Sequence, residues 1–301
     1  MLTLSHCEIC PRRCGADRTK ARGICGCDDR IRAARAMIHE GEEPCLIGTK
    51  DRSGRWGAGA IFFSGCNLKC VFCQNAEISL DNYGQTISEA RLEEILLGLQ
   101  DQGAAVIDLV TPTPYALQIA EVLEKIKHKL TIPVVYNCGG YESVEALKRL
   151  DGLIDIYMPD LKYKSPELSG RYSKARDYFD AAAPALDEMI RQRGECVFTE
   201  EGQMRSGTLV RHLVLPGCSR DSEALMDYLG TLPKRTIMVS LLRQYTPYAD
   251  AENYPEINRR ITTLEYERVV KRALDNGLDG FRQAQSSSTM ALRPVFDGSG
   301  L

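Results

Sequence analysis

Three cysteines, in Cys66-Asn67-Leu68-Lys69-Cys70-Val71-Phe72-Cys73, form the densest set of reactive side chains in the sequence. They follow an apolar run at 60–64 and Gly65, so they fall on the loop at the C-terminal end of an expected strand. Such loops carry the active groups of parallel α/β folds. Three thiolates on one short loop can hold three irons of a cubane cluster and leave the fourth open, whereas ferredoxin-type carriers use four cysteines. An open iron implies an outside ligand and therefore chemistry. The same spacing also suits zinc.

A second group precedes it. Cys7-x2-Cys10-x3-Cys14-x10-Cys25-x-Cys27 brings five thiols within 21 residues. A Cys-x2-Cys turn can aim both sulfurs at one ion. Cys7, Cys10, Cys14 and Cys25 are the expected ligands, with Cys27 as a spare and His6 as a substitute. Gly15, Gly23 and Gly26 allow tight loops, and Arg12, Arg13, Arg18 and Arg22 would offset thiolate charge. The spacing does not choose the metal: zinc or a second iron–sulfur cluster would fit. A structural centre that pins this segment is expected ahead of an electron relay. Cys45, Cys138, Cys196 and Cys218 stand alone and read as small buried hydrophobes, and His39 and His128 as solvated.

The whole chain constrains these readings. It has 301 residues, 44% hydrophobic and 26% charged, enough for a substantial core. Lys plus Arg is 38 against 41 for Asp plus Glu, a net charge of −3. That balance gives no support to nucleic-acid or membrane-surface binding. No apolar run reaches the ~18 residues of a membrane span, and residues 1–14 lack a signal-peptide core. A cytoplasmic location is therefore expected, and clustered thiols there read as metal ligands rather than disulfides.

The elements that must position the thiols show as an alternation. Strand-like runs at 60–64, 106–110, 133–136, 154–158, 209–215 and 237–242 are separated by helical patterns at 88–102, 115–129, 143–150, 178–193, 221–229 and 262–276. Six βα units imply parallel strands with right-handed crossovers, in a doubly wound sheet or an open barrel. Thr113 is expected as an N-cap with Pro114 at the first helical position, and Gly277 as a helix stop. The expected organisation is a Cys-rich extension at 1–58, a catalytic α/β unit at 59–284 and a peripheral tail at 285–301.

Cys-x3-Cys-x2-Cys with Phe72 before the last cysteine resembles the signature of the radical S-adenosylmethionine (SAM) superfamily. Ile61-Phe62-Phe63-Ser64-Gly65-Cys66-Asn67, Phe72-Cys73-Gln74-Asn75, Asp155-Ile156-Tyr157-Met158-Pro159-Asp160-Leu161-Lys162 and Arg211-His212-Leu213-Val214-Leu215-Pro216-Gly217 are similar to glycyl-radical-enzyme activating proteins, of which pyruvate formate-lyase activating enzyme is the prototype. The resemblance implies a partial (β/α)6 TIM-like barrel with an N-terminal Cys-rich metal-binding extension. It implies a 4Fe–4S cluster on Cys66, Cys70 and Cys73, with SAM chelated to the open iron and cleaved reductively to a 5′-deoxyadenosyl radical. A one-electron donor such as flavodoxin or ferredoxin would supply the cluster.

Further expectations concern SAM. Asp160 and Lys162 leave an extended segment on the same side, suited to a zwitterion, although a local ion pair is an alternative. Asn137 lies where the family places a ribose contact. Only one of the consecutive Arg211 and His212 can face the barrel interior, and Arg211 is expected there. Gln244 ends the sixth strand and can complete the pocket. In place of the family's Gly-Gly-Glu stands Thr111-Pro112-Thr113; the Thr111 and Thr113 hydroxyls and neighbouring carbonyls would then meet the SAM amino group without a counter-charge. Three functions follow. The first is a radical SAM activase of a glycyl radical enzyme, with a peptide groove at 161–176 and 245–255. The second is a radical SAM enzyme acting on a small molecule or another peptide, and the third a non-catalytic zinc or iron–sulfur module.

Overall fold

The structure is a computed structural model that describes residues 2–48, 56–283 and 294–301. In chain order its elements are β1 (Ile31–His39), α1 (Pro44–Ile47), β2 (Ala58–Phe63), α2 (Ala76–Ser79), β3 (Gln85–Ile87), α3 (Glu89–Asp101), β4 (Val106–Val110), α4 (Ala116–Ile126), β5 (Val134–Cys138) and α5 (Val144–Arg149). Then come β6 (Ile156–Pro159), α6 (Pro166–Ser173), α7 (Tyr178–Arg193), β7 (Val197–Phe198), β8 (Met204–Leu213), α8 (Ser219–Gly230), β9 (Ile237–Leu242), α9 (Thr263–Asp275) and β10 (Gly280–Arg282).

One sheet organises them, in the order β10-β9-β8-β6-β5-β4-β2-β1-β3. From β2 through β4, β5, β6 and β8 to β9 every neighbouring pair is parallel, and β10 extends that run. These six strands, joined by helices, are the partial (β/α)6 barrel that the family resemblance implied and that the alternation alone left open against a doubly wound sheet. Strands β2, β4, β5 and β6 are buried at every position, as parallel strands covered on both faces must be. Three of the helices, α3, α5 and α9, start where short polar side chains accept backbone N–H groups: Ser88 from Arg91, Ser143 from Ala146, and Thr262 in a capping box with Glu265. Gly277, with φ of +66°, follows α9 and closes it.

Several local details depart from the sequence reading. The extension forms β1, a nine-residue strand antiparallel to β2. Its Arg32 and Arg35 hid the apolar positions from a search for alternation. Thr113 does not cap a helix: residues 113–115 make a 3-10 turn, α4 starts at Ala116, and the Thr113 hydroxyl donates to Glu142 instead. A buried carboxylate outcompetes the helix end for that donor. Of the tail, 285–293 lie outside the described residues. Beyond them Gly298 and Ser299 bond the backbone of Ala34 and Ala36, and Phe296 packs on Phe62, so the end of the chain straps β1.

Candidate active site

The Cys66 loop leaves β2 through Gly65, whose φ of +83° and closeness to Cys27 exclude any side chain: a Cβ there would lie 2.2 Å from the Cys27 sulfur. Beyond Gly65 the loop is tied to α6. Lys69 N–H donates to the Ser173 carbonyl at 3.2 Å and Val71 N–H to the Tyr172 carbonyl at 2.9 Å. The Cys70 sulfur lies 3.0 Å from the Ser173 hydroxyl, the Cys73 sulfur lies 3.1 Å from the Ser79 hydroxyl, and the Leu68 N–H points at the Cys66 sulfur at 3.4 Å. Each sulfur thus has a neighbour able to donate to it, and such neighbours stabilise thiolates and the sulfur of a cluster.

Cys70 and Cys73 face a cavity of about 240 Å³ at the C-terminal ends of the parallel strands. Its wall carries Asn137, Asp160, Lys162, Arg211 and Gln244, five residues expected around SAM. Lys162 donates to Asp160 at 2.5 Å, and Arg211 Nε donates to the other Asp160 oxygen at 3.1 Å. Arg211 also donates to Asn137 Oδ1 at 2.7 Å and to Glu42 at 3.4 Å. A parallel bridge between Asp160 and Arg211, just beyond β6, sets the register that makes this network possible. Burial alone would raise the Asp160 carboxyl, but Lys162 and Arg211 outweigh it and hold it below the usual carboxylate range. Lys162 stays charged despite burial because Asp160 and the Cys70 thiol face it.

His212 turns the opposite way from Arg211, as strand alternation requires. Its Nδ1 lies 2.6 Å from the Leu161 carbonyl, which can only accept, so the proton sits there and Nε2 accepts from Ser222 at 2.8 Å. Burial lowers its pKa to about 4 and keeps it neutral.

The sequence reading missed three carboxylates. Glu42 and Glu43, between β1 and α1, line the cavity, and Asp108 lies fully buried beside Asn137, which donates to it at 3.2 Å. Burial, followed by the neighbouring Glu42, pushes the Asp108 carboxyl well up; burial raises Glu43. The available signal is the Glu42-Glu43-Pro44 triplet, two adjacent carboxylates before a proline. His39, taken as solvated, also lines the cavity and meets Phe62 edge-on.

Other expected residues are not brought there. Thr111 adopts φ of +60° and its N–H bonds the Asn137 carbonyl; it is absent from the cavity wall. Thr113 is buried against Glu142 and faces the N-terminal thiols. The two connections expected to flank a peptide groove pack on each other: Tyr172 meets Tyr254 edge-on, and Arg171 and Tyr172 both bond Glu256, one residue past the second connection. The first of these connections is largely the helix α6, which supports the thiol loop.

A parallel, unclosed α/β sheet thus carries a three-thiol loop beside a charged hollow at the C-terminal ends of its strands. Residues 60–200 match the Radical SAM superfamily, and the chain belongs to it. The match implies a 4Fe–4S cluster and SAM as cofactors. An uncharacterized protein of Methanocaldococcus jannaschii is 31% identical over 285 residues, covering 91% of this chain and 76% of that one. The structure of Streptococcus suis SuiB bound to SAM is 15% identical over 73% of this chain, with a TM-score of 0.51; SuiB bound to its precursor peptide SuiA gives 0.50. At that identity the likeness is one of fold, and this chain spans 48% of SuiB in its SAM complex. Among the described residues no helix is long and apolar enough to cross a membrane.

Proposed function

We propose that this protein binds a 4Fe–4S cluster on Cys66, Cys70 and Cys73, binds SAM beside it, and abstracts hydrogen from a polypeptide, with a backbone glycine of a glycyl radical enzyme as the favoured target. The observation that carries the reading is the single hollow in which Cys70 and Cys73 meet the Asp160–Lys162–Arg211–Asn137 network. The donor set suits a cubane: three thiols from one loop, each with a neighbouring donor, and room beside them for a fourth ligand. A zwitterionic nucleoside needs both signs of charge and neutral hydrogen-bonding groups, and this wall offers all three.

When bound, the cluster with SAM supplies reductive cleavage of the sulfonium and hydrogen-atom abstraction. The chain's own contribution is binding and orientation. Lys162 meets a carboxylate. Asp160, held ionised by two cations, accepts from a hydroxyl or an ammonium. Asn137 and Gln244 offer neutral donors and acceptors. Glu42 and Glu43 supply the negative charge that Thr111-Pro112-Thr113 does not, and they favour a cationic group at the rim. The substrate assignment rests on the motifs similar to those of activating proteins, from Ile61 to Asn75 and at Asp160-Leu161-Lys162; SuiB, of the same fold, is seen bound to SAM and to its precursor peptide SuiA. A flavodoxin or ferredoxin donor and a cytoplasmic location belong to the same reading.

The test is an anaerobic reaction of the reduced protein with SAM and candidate glycyl radical enzymes, read by electron paramagnetic resonance. A glycyl doublet with matching 5′-deoxyadenosine supports the activase. 5′-Deoxyadenosine without a doublet from any candidate moves the assignment to a different substrate, and no SAM cleavage at all overturns the catalytic reading.

A further inference from the structure

A second group of thiols lies behind the Cys66 loop. Cys7, Cys10, Cys14 and Cys25 line one small hollow with Arg18 and Asn67. Backbone bonds fold the segment around it: Cys7 N–H to the Ala16 carbonyl, Gly15 N–H to the Cys7 carbonyl and Arg13 N–H to the Cys10 carbonyl, each at 3.0 Å. A Cβ on Gly23 would lie 3.4 Å from the Cys14 sulfur and 3.5 Å from the Cys25 sulfur, so these two thiols flank the same small residue. All twelve cysteines are free, and no disulfide accounts for the grouping. The Cys27 thiol bonds that of Cys25 from outside the hollow and also meets the Tyr115 hydroxyl at 3.4 Å and the Ser64 carbonyl at 3.5 Å.

An independent observation points to a negative ligand set. Arg18 is only 1% exposed, yet among the described residues its guanidinium hydrogen-bonds no carboxylate. It donates to the Asp28 carbonyl at 3.0 and 2.6 Å and to the Pro114 carbonyl at 2.6 Å, and it reaches to 4.0 Å of the Cys7 sulfur. A buried cation without a counter-charge is costly, and metal-bound thiolates beside it would supply one. Among the described residues no three Cys, His, Asp or Glu side chains already converge on one ion. Zinc would draw the four sulfurs inward to a point, whereas a cubane takes each on a different iron.

The hollow also touches the active loop. Asn67, next to Cys66, lines it; the Asn67 side chain donates to the Tyr141 carbonyl at 2.5 Å, and its carbonyl accepts from Arg12 at 2.9 Å. We propose that Cys7, Cys10, Cys14 and Cys25 hold a thiolate-bound metal centre, neutralised in part by Arg18, that braces the Cys66–Asn67 end of the active loop from behind.

The experiment measures iron, zinc and sulfide per chain after anaerobic purification. It compares the natural protein with a Cys66/Cys70/Cys73→Ala variant, a Cys7/Cys10/Cys14/Cys25→Ser variant and Cys27→Ala. The first variant should keep either about one zinc or about four irons with sulfide, the two arms that separate a mononuclear site from a cluster. The second should lose that metal and keep about four irons on the other loop, and Cys27→Ala should keep both. A Cys66/Cys70/Cys73→Ala protein that is folded by circular dichroism and carries neither metal overturns the proposal, even where the four-serine variant does not fold. So does a four-serine variant whose metal content matches the natural protein, and loss of the centre in Cys27→Ala overturns the ligand set.

Discussion

The two thiol groups use the same residue at similar short spacings, yet the fold places them in opposite settings. Cys66, Cys70 and Cys73 follow β2, the last strand of the parallel run, and Cys70 and Cys73 open onto a hollow walled by Asp160, Lys162 and Arg211. Cys7, Cys10, Cys14 and Cys25 sit on irregular chain held by backbone bonds and the buried Arg18, around a smaller hollow lined by Ile9, Ile24 and Pro114. Catalytic metal sites keep an open position and structural ones are closed. Spacing alone names a metal ligand; the surrounding surface decides whether an outside molecule can reach it.

The largest effect that would break this contrast comes from the open loop. Cys70→Ala removes one cluster ligand and should reduce SAM cleavage to background, measured as 5′-deoxyadenosine, while protein yield and the far-ultraviolet spectrum stay near normal. If residual cleavage exceeded that of Cys25→Ala, the two groups would have been assigned the wrong way round.

Next in size is Asp160→Asn. Asp160 neutralises both Lys162 and Arg211, and removing one member of a buried ion network costs about 3–5 kcal/mol because the others are left uncompensated. Urea unfolding should show that loss at pH 7, and SAM binding by equilibrium dialysis should weaken with it. A stability within about 1 kcal/mol of the natural protein would mean that water already screens the pair, as at exposed salt bridges.

Much of this was legible in the sequence because it depends on periodicity and local spacing. The six barrel strands β2, β4, β5, β6, β8 and β9 fall within the apolar runs of the sequence or overlap them, while the short parallel β10 does not, and Asp160, Lys162 and Arg211 sit at strand ends where motif and alternation agree. Three things were not legible. Strand β1 lost its pattern to the arginines at 32 and 35, and its pairing with β2 is a long-range fact. Glu42 and Glu43 reach the cavity only because the β1–α1 connection crosses the barrel mouth. Thr113 turned away because Glu142, whose burial pushes its pKa to about 8, lies within 2.7 Å of its hydroxyl. That partner lies 29 residues on, beyond any local rule.

The neighbours Arg211 and His212 sharpen the comparison at a single strand, one side chain in the hollow and the next in the core. His212 is neutral when folded, with its pKa lowered to about 4 from the usual 6.5 by burial. Below pH 6.5 the unfolded chain therefore binds the proton more readily than the folded one. Stability from this group is present above that pH and should be lost as pH falls toward 4, by about 3 kcal/mol in all at about 1.4 kcal/mol per pKa unit. Denaturation midpoints across pH 4–7 should slope in the natural protein and flatten in His212→Ala. An unchanged slope in the variant would place the acid sensitivity elsewhere.

The smallest effect tests the link between the two regions. Arg12 donates to the Asn67 carbonyl at 2.9 Å and the Ser173 carbonyl at 3.3 Å, bonds the Lys174 carbonyl, and lies 5.3 Å from the centre of the Tyr141 ring. One side chain thus joins the N-terminal segment to both the active loop and the end of α6. Because the guanidinium is partly exposed and water can replace its bonds, Arg12→Gln should cost only about 1–2 kcal/mol in global stability. Its consequence for the loop should be separable from that cost. Asn67 adjoins Cys66, and Ser173 both bonds Lys69 and faces the Cys70 sulfur, so loosening these carbonyls alters the surroundings of two cluster ligands at once. The reduced cluster's electron paramagnetic resonance spectrum should broaden or shift in Arg12→Gln, and Arg12→Lys, which keeps the charge but not the forked donor, should restore it only in part. A spectrum identical to that of the natural protein would show that the N-terminal segment is merely attached to the barrel and does not support the active loop.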